Sequence, residues 1–154
     1  MSSITEFKPS ARSQLPAYLR ALSRVGAMIN REIRTPLDEV ELLQQGINPV
    51  AVDKLATTIP SMSDLNWVIA RRTLTHRKKK GERLTAEESG RWLRAAKICT
   101  HAEEVFGNTD KAAAWLRKPR KVFNQQSALV IMQTEPGAEL VNIALNQLDA
   151  GYFA

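Results

Sequence analysis

Cysteine is nearly absent. Cys99 is the only one in 154 residues, so no internal disulfide can form and no cysteine-based metal site can close. Its expected place is the core, as a small apolar side chain. Long hydrophobic runs are absent too. The opening Met1-Ser2-Ser3-Ile4-Thr5-Glu6-Phe7-Lys8-Pro9 lacks the apolar stretch of a signal peptide, and no run approaches the roughly 18 apolar residues of a membrane span. A cytoplasmic protein is expected. Histidine is scarce: His76 and His101 lie far apart, and His101 has Glu103 and Glu104 beside it, a grouping expected on a solvated helix face. No phosphate-binding glycine loop, nucleophile elbow or metal-ligand cluster occurs, so neither an enzymatic activity nor a cofactor is expected.

What is present is an ordinary globular composition, 44% apolar and 25% charged, able to bury a core. The balance of 22 basic and 16 acidic residues leaves a net charge of +6. Between Arg71 and Arg83 stand seven basic residues against the single acid Glu82, so this window carries the whole excess. Charge concentrated in this way attracts phosphate backbones, whereas an even spread would speak mainly to solubility.

Helix punctuation recurs, and no sustained alternation of β-branched residues is found; the expected fold is all-α. A polar leader with Pro9 precedes a helix expected from about Ala17 to Arg34. Thr35-Pro36 starts a helix that Gly46 ends, and Asn48-Pro49 starts another whose stripe is Val52, Leu55, Ala56 and Ile59, stopped by Pro60. Ser61 with Asp64 has the spacing of a capping box before a short helix turning Leu65, Val68 and Ile69 inward. Thr85 with Glu88 repeats that spacing before the longest helix, with Trp92, Leu93, Ala96, Cys99, Ala102, Val105 and Phe106 inward and Gly107 at its end. Asp110 opens a helix carrying Ala112, Trp115 and Leu116; a linking segment from Arg120 to Gln126 leads to Ala128–Met132. The last helix, after Thr134-Glu135-Pro136-Gly137, presents Leu140, Val141, Ala144, Leu145 and Leu148 inward until Gly151.

The stretch from Ser63 to Lys80 has the size of a helix-turn-helix, with a break near Ala70-Arg71 and a polar second helix. Arg72, Thr75, His76 and Lys79 are the candidates for base edges and Arg71, Arg77, Lys78, Lys80 and Arg83 for phosphates; Thr73 lies on the same helix, and Leu74 would anchor it. A solvated basic face on an ordinary helix would carry the same residues, and the pattern alone does not choose between the two.

Ala102-Glu103-Glu104-Val105-Phe106-Gly107-Asn108, Lys111-Ala112, Trp115-Leu116 before Pro119, and Thr134-Glu135-Pro136-Gly137-Ala138 with Val141 and Leu145 together resemble the toxin-binding domain of the MbcA/ParS/Xre antitoxin family. Upstream, Arg72-Thr73-Leu74 with Arg77, Gly81, Leu84-Thr85 and Glu88-Ser89 resembles the helix-turn-helix portion of its Xre-type members. The likeness runs from about Leu42 to Gly151. Relatives often carry glycines followed by Thr-Pro-Leu where this chain has Asn124-Gln125-Gln126-Ser127-Ala128-Leu129, which marks that loop as different in shape. The resemblance implies a cognate RES-domain toxin that degrades NAD and is held inactive by covering of its active site, a homodimer, and repression of the chain's own operon through operator DNA. Three segments are expected: a leader and helix over 1–34, which the resemblance does not reach, a helix-turn-helix domain over 35–100 and a toxin-binding domain over 101–154.

Beyond Gly151, Tyr152-Phe153-Ala154 offers two aromatics and a terminal carboxylate, which suit an interface anchor and a partner's arginine. The same tail could fold back on the last helix. Arg117, Lys118 and Arg120 are further candidate toxin contacts, or a solvated basic edge. Two other functions fit the residues: a stand-alone helix-turn-helix regulator with a C-terminal dimerisation domain, and an interaction protein that never touches DNA.

Overall fold

The computed structural model describes residues 15–58 and 62–151. Among these residues the fold is all-α, with eight helices and no β-strand: α1 (Ala17–Met28), α2 (Pro36–Gln45), α3 (Val50–Ala56), α4 (Arg71–Lys80), α5 (Ala86–Phe106), α6 (Thr109–Arg117), α7 (Ala128–Ile131) and α8 (Glu135–Asp149). Short 3₁₀ turns cover Met62–Leu65 and Lys121–Phe123.

The centre is α5. It begins where the sequence places it, at a complete capping box: the Glu88 amide donates to Thr85 Oγ1 (3.1 Å) and the Thr85 amide to Glu88 Oε1 (2.8 Å). Helices α1, α2, α6 and α8 pack around it. Trp92, Ala95, Ala96, Ile98, Cys99 and Ala102 are buried, so the helix is enclosed over much more than the usual single stripe. Burial pushes the Cys99 thiol up, which keeps it protonated and inert. Residue 100, where two segments were expected to meet, lies within this continuous helix.

Polar atoms fix the neighbours. Trp92 Nε1 donates to the Ala51 carbonyl of α3 (3.0 Å), Arg91 Nε to the Val68 carbonyl (2.9 Å), and the Ile47 amide to Ser89 Oγ (3.0 Å). From α1, Arg20 meets Glu104 (3.0 Å) and Arg24 meets Glu103, which also accepts from Thr109 Oγ1 (2.6 Å). His101 is not on a solvated face as expected. It is 1% exposed, its ring meets Tyr18 edge-on, and Nδ1 lies 3.3 Å from Asn142 Oδ1 of α8. Burial holds it below the ordinary histidine value, so the buried ring is neutral.

Several boundaries differ from expectation. Helix α1 stops at Met28, six residues short of Arg34, because Asn30 turns left-handed (φ 52°) and the Arg31 amide reaches back to the Gly26 carbonyl (2.9 Å). The first helix of the expected helix-turn-helix is only a 3₁₀ turn followed by a bend. Arg91 takes the Val68 carbonyl there, so no longer helical ladder forms. Asn108 rather than Asp110 caps α6, accepting from the Lys111 amide (2.9 Å). Ile59, Pro60 and Ser61 lie outside the described residues.

Around α8 the expected core holds for Val141 and Leu145, and Trp115 and Leu116 of α6 are buried as read. Leu140 is different: it is 51% exposed, on the outer side of the helix. Gly137 permits a close crossing at the start of α8, since a Cβ there would lie 1.7 Å from the Ile131 carbonyl oxygen at the end of α7. Gly137→Ala must push the two helix ends apart. It is expected to lower unfolding free energy by roughly 3 kcal/mol or more in urea titration. An unchanged midpoint would mean that the α7–α8 junction is not tightly packed.

Candidate nucleic-acid and partner interfaces

Helix α4 holds nine of the ten residues read as nucleic-acid contacts; Arg83 follows two residues after its Gly81 cap. The helix ends because Gly81 adopts a left-handed conformation (φ 66°) and the Glu82 amide reaches the Arg77 carbonyl (2.9 Å). Leu74, 4% exposed, anchors it to the core. Arg72, Thr75, His76 and Lys79 recur at i, i+3, i+4 and i+7, so they share one face, and all four are exposed. Arg71 and Lys80 are exposed as well, while Thr73 is half-buried. The first turn has no side-chain cap and no acid, so its amides are not matched by a local carboxylate.

Three of the basic residues are engaged within the fold. Arg77 Nε lies 3.2 Å from Glu88 Oε1 and Nη1 3.0 Å from Glu82 Oε2; its side chain is 23% exposed. Lys78 pairs with Asp53 of α3, and Arg83 Nη1 donates to the Gly46 carbonyl (2.9 Å). The α4 cations without such a partner among the described residues are therefore Arg71, Arg72, Lys79 and Lys80, while Arg77 ties the helix to α5. Glu88 is shared between two tasks. Burial works against its charge, yet the Thr85 amide and the Arg77 guanidinium together hold its carboxyl below the usual range, and the same carboxylate raises the Arg77 value.

The second region is the C-terminal third. Trp115, on α6, meets Phe123 at a ring-centroid distance of 6.2 Å and Phe106 at 6.0 Å, and the Arg120 guanidinium lies over its ring at 4.8 Å. Arg120 is thus partly occupied in packing. Arg117 pairs with Asp64, linking α6 to the turn before α4, and Lys118 is exposed. Asn124 and Gln125 both have positive φ (54° and 65°), in the loop where relatives often carry glycine. That is a conformation glycine adopts without strain. At the far end of α8, Gly151 is exposed with φ 80°; Tyr152, Phe153 and Ala154 lie outside the described residues.

These elements coincide with a known domain. Residues 101–151 match the Antitoxin Xre/MbcA/ParS C-terminal toxin-binding domain. An Antitoxin Xre of Yersinia enterocolitica is 30% identical over 132 residues, covering 80% of this chain and 89% of that protein. The chain belongs to the Xre antitoxin family. An Antitoxin Xre of Pseudomonas putida is 38% identical over 85 residues, 55% of this chain and 54% of that protein, so the chain spans about half the length of that relative. A third, from Photorhabdus laumondii, is 31% identical over 70 residues, covering 45% of this chain and 47% of its own length.

No helix among the described residues is long and apolar enough to cross a membrane, and no cluster of three or more histidine, cysteine or acidic residues is placed to hold a metal. Signals for the helix positions of the Xre fold were visible as caps. The outward turn of Leu140 was missed, because 140 and 141 are adjacent apolar residues and only one can face inward.

The Arg77–Glu88 pair generates a measurable expectation. A double-mutant cycle of Arg77→Ala and Glu88→Ala is expected to give a favourable, non-zero coupling in unfolding free energy at pH 7 that weakens with added salt. Glu88 titrates lower folded than unfolded. Its contribution is therefore full above the unfolded value near 4.5 and is lost as pH falls through the folded value. Zero coupling at neutral pH would show that the pair does not hold α4 to α5.

Proposed function

We propose that this chain is the antitoxin of a two-protein system and neutralises a RES-type, NAD-degrading toxin by covering its active site. The observation that carries this reading is the match of residues 101–151 to a toxin-binding domain, within a chain that aligns along most of an Antitoxin Xre. On this reading residues 101–154 form the partner-binding part. Gly151, Tyr152, Phe153 and Ala154 reach into the toxin's nucleotide cleft, where the aromatics anchor and the carboxylate meets a cation that otherwise holds an anionic substrate. Lys118 is a further exposed basic contact on this reading, with Arg117 and Arg120 contributing from the edges of their own pairings.

The same chain represses its operon from the cytoplasm, as a homodimer whose two α4 helices enter successive major grooves. Support comes from the outer face of Arg72, Thr75, His76 and Lys79, and from the uncapped first turn, whose free amides with Arg71 and Arg72 suit a phosphate. Residues 35–100 are the DNA-binding part, and α1 supports both parts by packing on α5 and α8. The second reading, a stand-alone regulator with a C-terminal dimerisation domain, draws on the same exposed face of α4.

Co-expression with the product of the neighbouring gene, purification on one tag and an assay of NAD loss separate the two. A stable complex that suppresses NAD loss is the expected result; DNA binding with no complex would leave the regulator. Deleting residues 152–154 is expected to weaken neutralisation at least tenfold while the complex persists. Equal neutralisation would remove the tail from the active site.

For DNA, log affinity for the promoter fragment is expected to fall against log salt with a slope of about −4 to −5, and Lys80→Ala to reduce that slope by about one. A salt-independent affinity would remove α4 from the interface.

A further inference from the structure

Helix α8 carries an apolar face that no other described residue covers. Val141 and Leu145 are fully buried, and Ala138 nearly so, which fixes the helix's rotation. Leu140 and Ile143 are left 51% and 47% exposed on the other side, one turn apart, with Pro136 a turn before them. Two large aliphatic side chains at i and i+3 on the outside of a rigid helix are more than scattered surface residues, because they form a continuous row.

Charge indicates what would lie on this row. From Glu135 to Asp149 the helix has three acids and no lysine or arginine, in a chain whose net charge is +6. Asp149 is occupied at the α1 terminus and Glu135 with Arg94, which leaves Glu139, beside Leu140, without a partner among the described residues. A second copy packed on this row would bring Glu139 against Glu139 with no cation on either helix to answer it. A partner with an apolar groove rimmed by basic groups matches in both respects.

We propose that Leu140 and Ile143, with Glu139 beside them, form a helix-in-groove docking surface for the toxin, separate from the tail that covers its active site. This rests on the antitoxin reading. Two observations commit the face to that occupant: α8 lies wholly within the segment matching a toxin-binding domain, and residues 152–154 follow in sequence directly after the helix end at Asp149 and the Ala150-Gly151 turn. The helix docks and gives affinity; the tail blocks and gives inhibition.

The test is equilibrium binding to the product of the neighbouring gene, held inactive by substitution, using the intact protein, Leu140→Gln/Ile143→Gln, the companion Leu140→Ala/Ile143→Ala and the deletion of 152–154. Both pairs of substitutions replace exposed side chains, so thermal midpoints are expected to stay within a few degrees. The expected result is at least tenfold weaker binding for both pairs and a smaller loss for the deletion, which instead releases NAD-degrading activity in complexes formed with active toxin. Unchanged binding of both pairs, with the intact protein bound, overturns this inference alone. No binding by the intact protein overturns the antitoxin reading and this inference with it. If the substitutions instead dissociate a dimer of the free protein in sedimentation, the face is a contact between copies and the inference is overturned.

Discussion

Everything in this fold depends on enclosing α5 on nearly all sides. A helix buried to this degree must give its neighbours room, and Ala95, Ala96, Cys99 and Ala102 do so by being small. It must also leave few polar atoms unanswered, since each buried group without a partner costs about 1–3 kcal/mol. Ser89 accepts an amide from the chain entering α3, Thr100 Oγ1 donates to the Ala96 carbonyl, and Glu103 is met by Arg24 and Thr109. The bonds to Ser89 and Glu103 fix the place of neighbours that packing alone would leave free to slide, while that of Thr100 stays within α5.

The two ends of α5 serve different surfaces. At its first turn Glu88 closes the cap and takes Arg77, so the angle of the basic helix is set by the same carboxylate that starts the central one. At its last turns Glu103 and Glu104 receive α1, while α6 folds back after Gly107 and brings Trp115 against Phe106. The exposed basic face of α4 and the segment matching a toxin-binding domain thus hang from one rod of 21 residues rather than from two units joined by a linker. An Arg117–Asp64 pair crosses between them a second time.

Much of this was legible from residue order. Caps were the clearest signals: Thr35-Pro36 and the Thr85–Glu88 box start helices as read, and Gly46 and Gly107 end helices with positive φ; the Asp38 half of the first capping box and the Gly81 stop went unread. These features are local, which is why a single sequence carries them. The failures were tertiary in origin. His101 looked solvated because its neighbours Glu103 and Glu104 are charged, but those acids are answered by arginines on a helix some 80 residues away in sequence. The segment before α4 was read as a helix from its capping-box spacing and apolar residues, but beyond the 3₁₀ turn the Val68 carbonyl is taken by Arg91 of α5. Among the basic residues of α4, spacing separated inner from outer positions only after Leu74 fixed which side was inside. The tail and its suggested role fall outside the described residues.

The amide of Ala17, first in α1, donates to Asp149 at the end of α8 (3.4 Å), in place of the side-chain cap that Pro16 cannot supply. The two ends of the helical body therefore share one corner. The first and last described helices thus hold each other's ends in place, and a substitution at Asp149 reaches the start of α1 as directly as the end of α8.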